Sequence, residues 1–252
     1  MMKKTIKGIL RRFGFDIVRY RPHDRPETLR DLTNDEVKIL ELVKPYTLTS
    51  EERIAALINA VGYVTKRKIP GAVAECGVWR GGSMMAVALA LMQHGELNRD
   101  LYLYDTFEGM VEPTDHDKSY DGQTAQSQLE CDPVGTGVWC RSPIEDVRTN
   151  LLSTGYPENK VHFVQGKVEE TIPAIRPQSL ALLRLDTDWY ESTKHELVHL
   201  YPLLDRRSPL IIDDYGHWQG ARRAVDEYLA EHELNLYLHR VDYTCRVAVG
   251  TP

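Results

Sequence analysis

Residues 71–95 read GAVAECGVWRGGSMMAVALALMQHG. This segment predicts a short apolar strand, a glycine-rich turn and a helix that Gly95 closes. From Gly71 to His232, predicted strands and helices alternate, which indicates a parallel sheet covered by helices on both faces. In open sheets of this kind the ligand crevice lies at the carboxyl ends of the strands, so functional side chains are expected there.

The segments outward from this unit complete an α/β fold. Two helices are predicted before the first strand, the second with Ser50 as its N-cap and Glu51 and Glu52 in its first turn. Residues 108–141 are rich in Gly, Asp, Thr, Ser and Pro without a steady period, which is typical of a lid or binding loop. The last two apolar segments, NLYLHRV and CRVAVG, predict a closing hairpin.

The composition narrows the class of protein. The 252 residues are 42% hydrophobic and 27% charged, with a net charge of -6, as in water-soluble globular proteins. This acidic balance argues against a nucleic-acid partner. No run approaches the roughly 20 apolar residues of a membrane span. The four cysteines show no disulfide or zinc spacing, so free thiols in a cytoplasmic protein are expected.

Residues 1–30 form a basic arm ahead of a single predicted domain over residues 31–252. Charged residues interrupt its apolar ones, unlike those of a signal peptide. Four of the apolar residues fall on one helical face, namely Ile6, Ile9, Leu10 and Phe13. This face favours a short helix packed on its own domain, and peripheral docking on anionic lipid is the alternative.

The glycine-rich turn ECGVWRGGS follows the first predicted strand. Its glycines allow tight turns and a close approach of the backbone to a ligand, and the helix that starts near Ser83 offers unpaired N–H groups. Glu75 can accept a hydrogen bond or meet a cationic ligand. The spacing is not the dinucleotide pattern G-x-G-x-x-G, and no P-loop follows. Turns of this kind also serve backbone geometry alone.

Asp105 ends the second predicted strand, in YLYDTFEG. In nucleotide-binding α/β folds an acidic residue at this strand end accepts hydrogen bonds from ribose hydroxyls. An Asx turn or a helix cap is the alternative. The glycine-rich turn before it favours the ribose role.

Four aspartates end two further predicted strands, and they are Asp186, Asp188, Asp213 and Asp214. On neighbouring strands their carboxylates would share one crevice, raise each other's pKa and cost stability unless a cation neutralises them. Several converging carboxylate oxygens suit Mg²⁺. The alternative is that each caps a helix, as Asp188 could. Capping explains one aspartate at each strand end rather than all four.

Aromatic residues follow these acids, namely Trp189, Tyr190, His217 and Trp218. Beside a metal they can wall a substrate cavity, and they can equally pack at its rim. His116, between two aspartates of the segment 108–141, is expected to be a solvated loop histidine rather than a base in a pocket.

Four blocks of sequence together resemble one family: ECGVWRGGS, YDTFEGM, LLRLDTDWYEST and IIDDYGHWQGARRAVDEY. The family is the macrocin (TylF/MycF) class of O-methyltransferases, metal-dependent enzymes that use S-adenosylmethionine. The resemblance spans roughly Gly71 to Gly250, without the first thirty residues. It implies a seven-stranded class I methyltransferase (Rossmann-like) sheet with a reversed last hairpin, and a homo-oligomer. It also implies Mg²⁺-assisted methyl transfer to a hydroxyl of a small molecule such as a sugar or other vicinal diol.

The resemblance implies roles for individual residues. The methionine part of the cofactor would be held by Glu75, Gly77, Arg80, Gly81, Gly82 and Ser83. The ribose and adenine would lie against Asp105, Thr106, Phe107, Gly166, Lys167 and Val168. Mg²⁺ would be bound by Asp186, Asp213 and Asp214, with Asp186 also bordering the cofactor. Asp188, or Asp186 itself, would deprotonate the acceptor hydroxyl, and the segment 108–141 would close over the cofactor.

One segment departs from the family pattern. DRRSPL (205–210) stands where family members commonly turn through Pro-Gly-Gly, so the backbone takes a different path before the last acidic strand. Two other functions are compatible with the acids, a metal-dependent hydrolase or phosphotransferase and a non-catalytic cofactor-binding protein. The first needs a phosphate cradle or a nucleophile near Asp186, and the sequence shows neither.

Overall fold

The computed structural model describes residues 30–132 and 139–249. The chain divides into two units, residues 1–31 and 32–252, and the elements named here belong to the second. The predictions for the basic arm lie outside the described residues, apart from Arg30. In the described part of the chain, no helix is long and apolar enough to cross a membrane.

Seven strands form one sheet. They are β1 (Ala72–Cys76), β2 (Leu101–Asp105), β3 (Val161–Gln165), β4 (Leu180–Leu185), β5 (Pro209–Ile212), β6 (His239–Arg240) and β7 (Arg246–Val249). Their order in the sheet is β3-β2-β1-β4-β5-β7-β6. The first five strands run parallel, and β7 is antiparallel to both of its neighbours. The predicted sheet with a reversed last hairpin is confirmed.

Helices lie before the first strand and between the later strands. They are α1 (Asn34–Val43), α2 (Glu51–Lys66), α3 (Gly82–Gln93), α4 (Ala125–Cys131), α5 (Ile144–Leu152), α6 (Val168–Thr171), α7 (Tyr190–Leu200) and α8 (Gln219–Glu231). Three short 3₁₀ turns lie at Lys44–Tyr46, Glu158–Lys160 and Tyr201–Leu203. Local signals set the helix starts. Thr33 and Glu36 form a capping box before α1, and Ser50 accepts the backbone N–H of Arg53 at the start of α2, as predicted.

The core lies on both faces of the sheet. Strands β1 and β4 are buried along their whole length, as expected of central parallel strands with apolar runs. Helix α3 is buried over most of its surface because α1, α2 and α5 all pack against it. This burial explains why its sequence is apolar on nearly every side.

The strand order reverses at β1, which has β2 on one side and β4 on the other. A ligand crevice is expected at this point. Here the chain leaving β1 touches the chain leaving β4: a Cβ added to Gly77 would lie 2.0 Å from the carbonyl oxygen of Asp186. Gly77 also has φ +80°, a conformation that favours glycine. Both conditions require glycine at this position.

In its described residues, 108–132 and 139–141, the segment 108–141 is more ordered than predicted. It contains α4, whose N-cap is Thr124, and antiparallel bridges that pair Lys118 with Thr124 and Ser119 with Trp218. Helix α4 buries only Ala125 and Leu129. A seven-residue helix with two buried positions has too short a pattern to reveal a helical period.

The segment NLYLHRV forms a shorter strand than predicted, because only His239 and Arg240 pair with β7. Leu234, Leu236 and Leu238 pack against the core instead. Strand β6 lies at the edge of the sheet and pairs only with β7, which has four residues, so β6 is short. The burial of the leucines before it shortens it further.

Candidate active site

A cavity opens at the carboxyl ends of β1, β2, β4 and β5, where the strand order predicts a crevice. Its walls come from these strand ends, from residues 46–53 around the start of α2, and from residues 109–111 with Cys140. The elements that supply chemistry and those that surround a bound molecule therefore come from distant parts of the chain.

Asp105 holds the glycine-rich turn in place. Its Oδ2 accepts the backbone N–H groups of Val78 and Trp79 at 2.7 and 3.1 Å, and its Oδ1 accepts that of Phe107 at 2.7 Å. The bond to Phe107, two residues on, is the Asx turn that the sequence offered as an alternative. Asp105 still lines the cavity, and its Oδ1, which accepts one backbone N–H, keeps a lone pair for a ligand hydroxyl.

Glu75 is fully buried beneath the turn. Its Oε1 accepts from Ser83 Oγ at 2.5 Å and from Arg184 Nη1. Its Oε2 has no hydrogen-bond partner among the described residues. Burial raises the pKa of Glu75, although Arg184 and Ser83 oppose the shift. An unpaired buried carboxylate oxygen can still accept a hydrogen bond.

The acidic cluster predicted from the sequence is present. Asp186, Asp213 and Asp214 each place one carboxylate oxygen within 4.8 Å of the others. Burial raises the pKa of Asp186 and of Asp214, and neighbouring carboxylates add to the shift. Asp186, Asp213 and Asp214 therefore converge rather than cap separate helices.

A buried arginine explains how these acids coexist. Arg184 on β4 is 3% exposed and donates to Asp186 Oδ2 and Asp213 Oδ1, each at 2.7 Å, as well as to Glu75. Arg53 adds a second cation, with its Nη1 2.5 Å from Asp213 Oδ2. Five acidic side chains, counting Asp188 and Asp214, thus lie around two guanidinium groups.

Asp188 occupies a constrained position between the acids. It has φ +66°, and its backbone N–H donates to Asp214 Oδ2 at 3.2 Å. Burial raises the pKa of Asp188 to about 7. The Asp188 side chain does not cap α7. Instead, Asp117 Oδ1 accepts the N–H of Tyr190, the first residue of that helix, at 2.8 Å. The capping interpretation of Asp188 is wrong.

The aromatic residues after the acids pack at the cavity rim. Trp189 and Trp218 are 2% and 6% exposed, lie edge to face at 4.8 Å and contact α4. Trp189 Nε1 donates to the carbonyl of Val111 at 3.0 Å. These contacts hold Met110 and Val111 against the cavity. His217 instead packs edge to face against Tyr120 and Tyr243.

Residues 17–248 match the family model of macrocin O-methyltransferase (TylF). The chain belongs to the macrocin O-methyltransferase family. The match begins within the first thirty residues, so it is longer than the resemblance read from the four sequence blocks. The protein is an O-methyltransferase, which transfers a methyl group to a hydroxyl.

Named relatives of this O-methyltransferase act on natural products. A Streptomyces olivaceus protein, 8-demethyl-8-(2,3-dimethoxy-alpha-L-rhamnosyl)-tetracenomycin-C 4'-O-methyltransferase, is 32% identical over 79% of this chain and 73% of its own length. Demethyldecarbamoylnovobiocin O-methyltransferase of Streptomyces niveus is 29% identical over 78% and 72%. Mycinamicin III 3''-O-methyltransferase of Micromonospora griseorubida is 29% identical over 78% and 75%.

Solved structures show the same architecture. The O-methyltransferase NovP superposes with a TM-score of 0.72 at 29% identity, covering 82% of this chain and 83% of its own. The calicheamicin methyltransferase CalS11 gives a TM-score of 0.57 at 20% identity over 93% and 99%, a likeness in fold. The fold of this family member is therefore the class I methyltransferase fold.

The predicted cofactor and metal residues of the enzyme separate into two groups. Those that line the cavity are Gly77, Ser83, Asp105, Thr106, Gly166, Lys167, Val168, Asp186, Asp188, Asp213 and Asp214. Those that do not are Glu75, Arg80, Gly81, Gly82 and Phe107. Arg80 donates to the carbonyl of Pro45 at 2.8 Å and lies over the Tyr46 ring, so its guanidinium fixes the loop before α2.

Sequence reasoning missed the two arginines and one buried acid. Arg184 carried a signal, since a charged residue inside the apolar run LALLRLD must find partners when buried. Arg53 carried none, because its partners are far away in sequence. Glu196 on α7 is fully buried, accepts from Thr187 Oγ1 at 2.9 Å, and leaves its Oε2 without a hydrogen-bond partner among the described residues.

Proposed function

We propose that the enzyme transfers a methyl group from S-adenosylmethionine to a hydroxyl of a small molecule, a sugar or other vicinal diol, with the help of Mg²⁺. The observation that carries this proposal is the convergence of Asp186, Asp213 and Asp214 beside a cavity that Gly77 and Asp105 also line. The names of the relatives, which include a rhamnosyl compound, support a sugar hydroxyl as the acceptor.

The strand ends of β1 and β2 fit the methyl donor. Gly77 lines the cavity with its backbone, and Asp105 can accept from ribose hydroxyls. Gly166 and Val168 line the same part of the cavity and would flank the adenine. The acidic side chains that line the cavity suit a donor that carries an ammonium and a sulfonium group.

The acidic residues fit a divalent cation. Asp186, Asp213 and Asp214 would hold it, since hard cations prefer several carboxylate oxygens and these three converge. Burial and the neighbouring carboxylates raise the pKa of Asp186 and of Asp214, and a bound cation would favour their ionised forms. When bound, Mg²⁺ supplies Lewis-acid chemistry, lowering the pKa of an acceptor hydroxyl and orienting it.

Asp188 is placed to take the proton. It lines the cavity and lies outside the three convergent ligands, and its carboxyl titrates near neutral pH. In the reaction the acceptor oxygen bonds to the methyl carbon, the carbon–sulfur bond of the donor breaks, and the hydroxyl proton passes to Asp188. The products are a methyl ether and S-adenosylhomocysteine. Asp186 is the alternative base.

The acceptor would lie between two walls that the strands do not supply. One wall is the segment Tyr46 to Thr49, and the other is formed by Met110, Val111 and Cys140. Both carry apolar side chains beside the acids, so they would enclose the reacting hydroxyl and exclude water.

We also propose that the enzyme is a homo-oligomer located in the cytoplasm.

Calorimetry tests the proposal. S-adenosylhomocysteine should bind the purified protein, and turnover of S-adenosylmethionine with a panel of glycosides and catechols should require Mg²⁺. Asp213→Ala should abolish turnover while S-adenosylhomocysteine still binds. Absence of S-adenosylhomocysteine binding at millimolar concentration would refute the proposal, and Mg²⁺-independent turnover would refute its metal part.

A further inference from the structure

Arg53 joins three elements at the edge of the candidate metal site. It lies in the first turn of α2 and lines the cavity. Its Nη1 donates to Asp213 Oδ2 at 2.5 Å, just after β5, and its Nε donates to Asp242 Oδ2 at 2.7 Å, in the turn between β6 and β7. The guanidinium therefore bridges two carboxylates that are held by different strands.

Asp242 is a fixed anchor for this arginine. Its Oδ1 accepts the backbone N–H groups of Thr244 and Cys245 at 2.9 and 2.8 Å, which sets the hairpin turn. Its Oδ2 accepts from Ser50 Oγ at 3.1 Å as well as from Arg53. Because the turn holds Asp242, the carboxylate can keep Arg53 at a constant distance from the acidic cluster.

Asp213 differs from the other two candidate ligands because arginines contact both of its oxygens. Oδ1 accepts from Arg184 Nη2 at 2.7 Å, and Oδ2 accepts from Arg53. Arg184 is locked by two further acids, Glu75 and Asp186. Arg53 has one other carboxylate partner, so Arg53 can move away from Asp213 more readily than Arg184 can.

We propose that Arg53 is an internal counter-cation that competes with a divalent cation for Asp213, and that Asp242 limits this competition by drawing Arg53 away. The inference rests on the metal site of the proposed function. A divalent cation on Asp213 would lie next to the guanidinium, and two cations at such a distance repel each other. Removing the guanidinium should tighten metal binding.

The test is the affinity for Mn²⁺ alone, measured on full-length, cofactor-free protein by calorimetry or electron paramagnetic resonance. Arg53→Gln should bind Mn²⁺ about tenfold more tightly than the unmodified enzyme. Asp242→Asn keeps an oxygen for the turn but removes the charge, leaving Asp213 as the remaining anion for Arg53. This variant should bind Mn²⁺ about threefold more weakly. Arg67→Gln, at the other end of the same helix, is the charge-matched control and should leave the affinity unchanged.

The double variant Arg53→Gln/Asp242→Asn separates two explanations. In the first, Asp242 acts on metal binding through Arg53; in the second, each charge acts on the metal ion independently. If Asp242 acts through Arg53, the double variant should match Arg53→Gln alone, whereas independent field effects would add. Unchanged or weaker Mn²⁺ binding by a folded Arg53→Gln overturns the proposal, and so does additivity. Should Arg53→Gln fail to fold in thermal unfolding, Arg53→Met takes its place in the same comparison, alone and combined with Asp242→Asn, and the same outcomes decide.

Failure of the metal site itself would look different. Suppose that neither the unmodified enzyme nor any variant binds Mn²⁺, while S-adenosylhomocysteine still binds. The metal part of the proposed function is then refuted, and this inference is refuted with it. If the unmodified enzyme binds Mn²⁺ and the variants shift in the wrong direction, only the role of Arg53 is lost.

Discussion

Arg184 and Asp186 lie two residues apart on one strand end, and the arginine Nη1 is 2.7 Å from the aspartate Oδ2. Residues at this spacing point to the same face of a strand, so the sequence itself brings the cation to the acid. The same guanidinium reaches Glu75 on β1 and Asp213 after β5. One side chain thus connects the ends of three strands beneath the cavity.

Replacing Arg184 by Met should destabilise the protein by about 3–5 kcal/mol, because it leaves buried carboxylates without a counter-charge. Chemical denaturation at neutral pH measures the free energy of unfolding. Arg222→Met, on the exposed side of α8, should change that free energy by no more than about 0.5 kcal/mol. A similar small effect at Arg184 would show that the buried network contributes little.

Gly77→Ala should prevent stable folding, since the new Cβ would meet the Asp186 carbonyl at 2.0 Å and the backbone is left-handed there. Gly95→Ala is the matched control. Gly95 has φ +71° and no atom within 4 Å of an added Cβ, so the cost should be about 1–2 kcal/mol. Soluble expression and thermal unfolding compare the two, and equal behaviour would contradict the close contact.

Asp188→Asn should lower kcat by a factor on the order of 10²–10⁴, the range expected when a general base is lost. The substitution keeps size and shape, so S-adenosylhomocysteine should bind as before. Single-turnover kinetics with saturating acceptor measure the chemical step. If Asp188→Asn retains full activity, the proton goes to another group, and Asp186 becomes the candidate.

Asp117→Ala should loosen the segment 108–141. The Asp117 carboxylate is fully buried; it accepts the Tyr190 N–H of α7 and both the N–H and hydroxyl of Thr114. Losing a cap of this kind should cost about 1–2 kcal/mol. Amide hydrogen exchange should then rise across α4, and KM for the acceptor should increase. Unaltered exchange in α4 would mean that the tryptophan contacts alone hold the segment.

Glu196→Gln should make stability less dependent on pH. Burial raises the pKa of Glu196 well above its ordinary value, so the folded protein keeps a proton that the unfolded chain releases above its ordinary pKa. Stability therefore falls as pH rises through this window, and glutamine removes that loss. The advantage of the variant should grow by up to about 1.4 kcal/mol per pH unit above pH ~5.

Denaturation curves between pH ~5 and pH ~8 check this expectation. Other buried acids titrate equally in both proteins, so the difference isolates Glu196. Glu41→Gln, at an exposed position of α1, should show no such trend. A pH-independent difference for Glu196→Gln would mean that the buried carboxyl stays ionised.

Much of the fold followed from local patterns. Alternating apolar strands and amphipathic helices, the glycine turn and the acids at strand ends are written within short windows of sequence, and the structure has them where they were expected. The partners of those acids were harder to foresee. Arg53 meets Asp213 and Asp242, which lie 160 and 189 positions away, and no short window contains such pairs. Asp117 likewise accepts the first N–H of α7 in place of a local cap, although Asp117 and Tyr190 lie 73 positions apart in the sequence.

The walls beside the acids come from segments that make no strand of the sheet: residues 46–49, and residues 109–111 with Cys140. Trp189 and Trp218 attach the second wall to the sheet through a few contacts. Libraries that vary Leu48, Met110 and Val111 can therefore explore new acceptors while the catalytic scaffold stays constant. In the proposed function these two segments, rather than the sheet, would determine which acceptor is methylated.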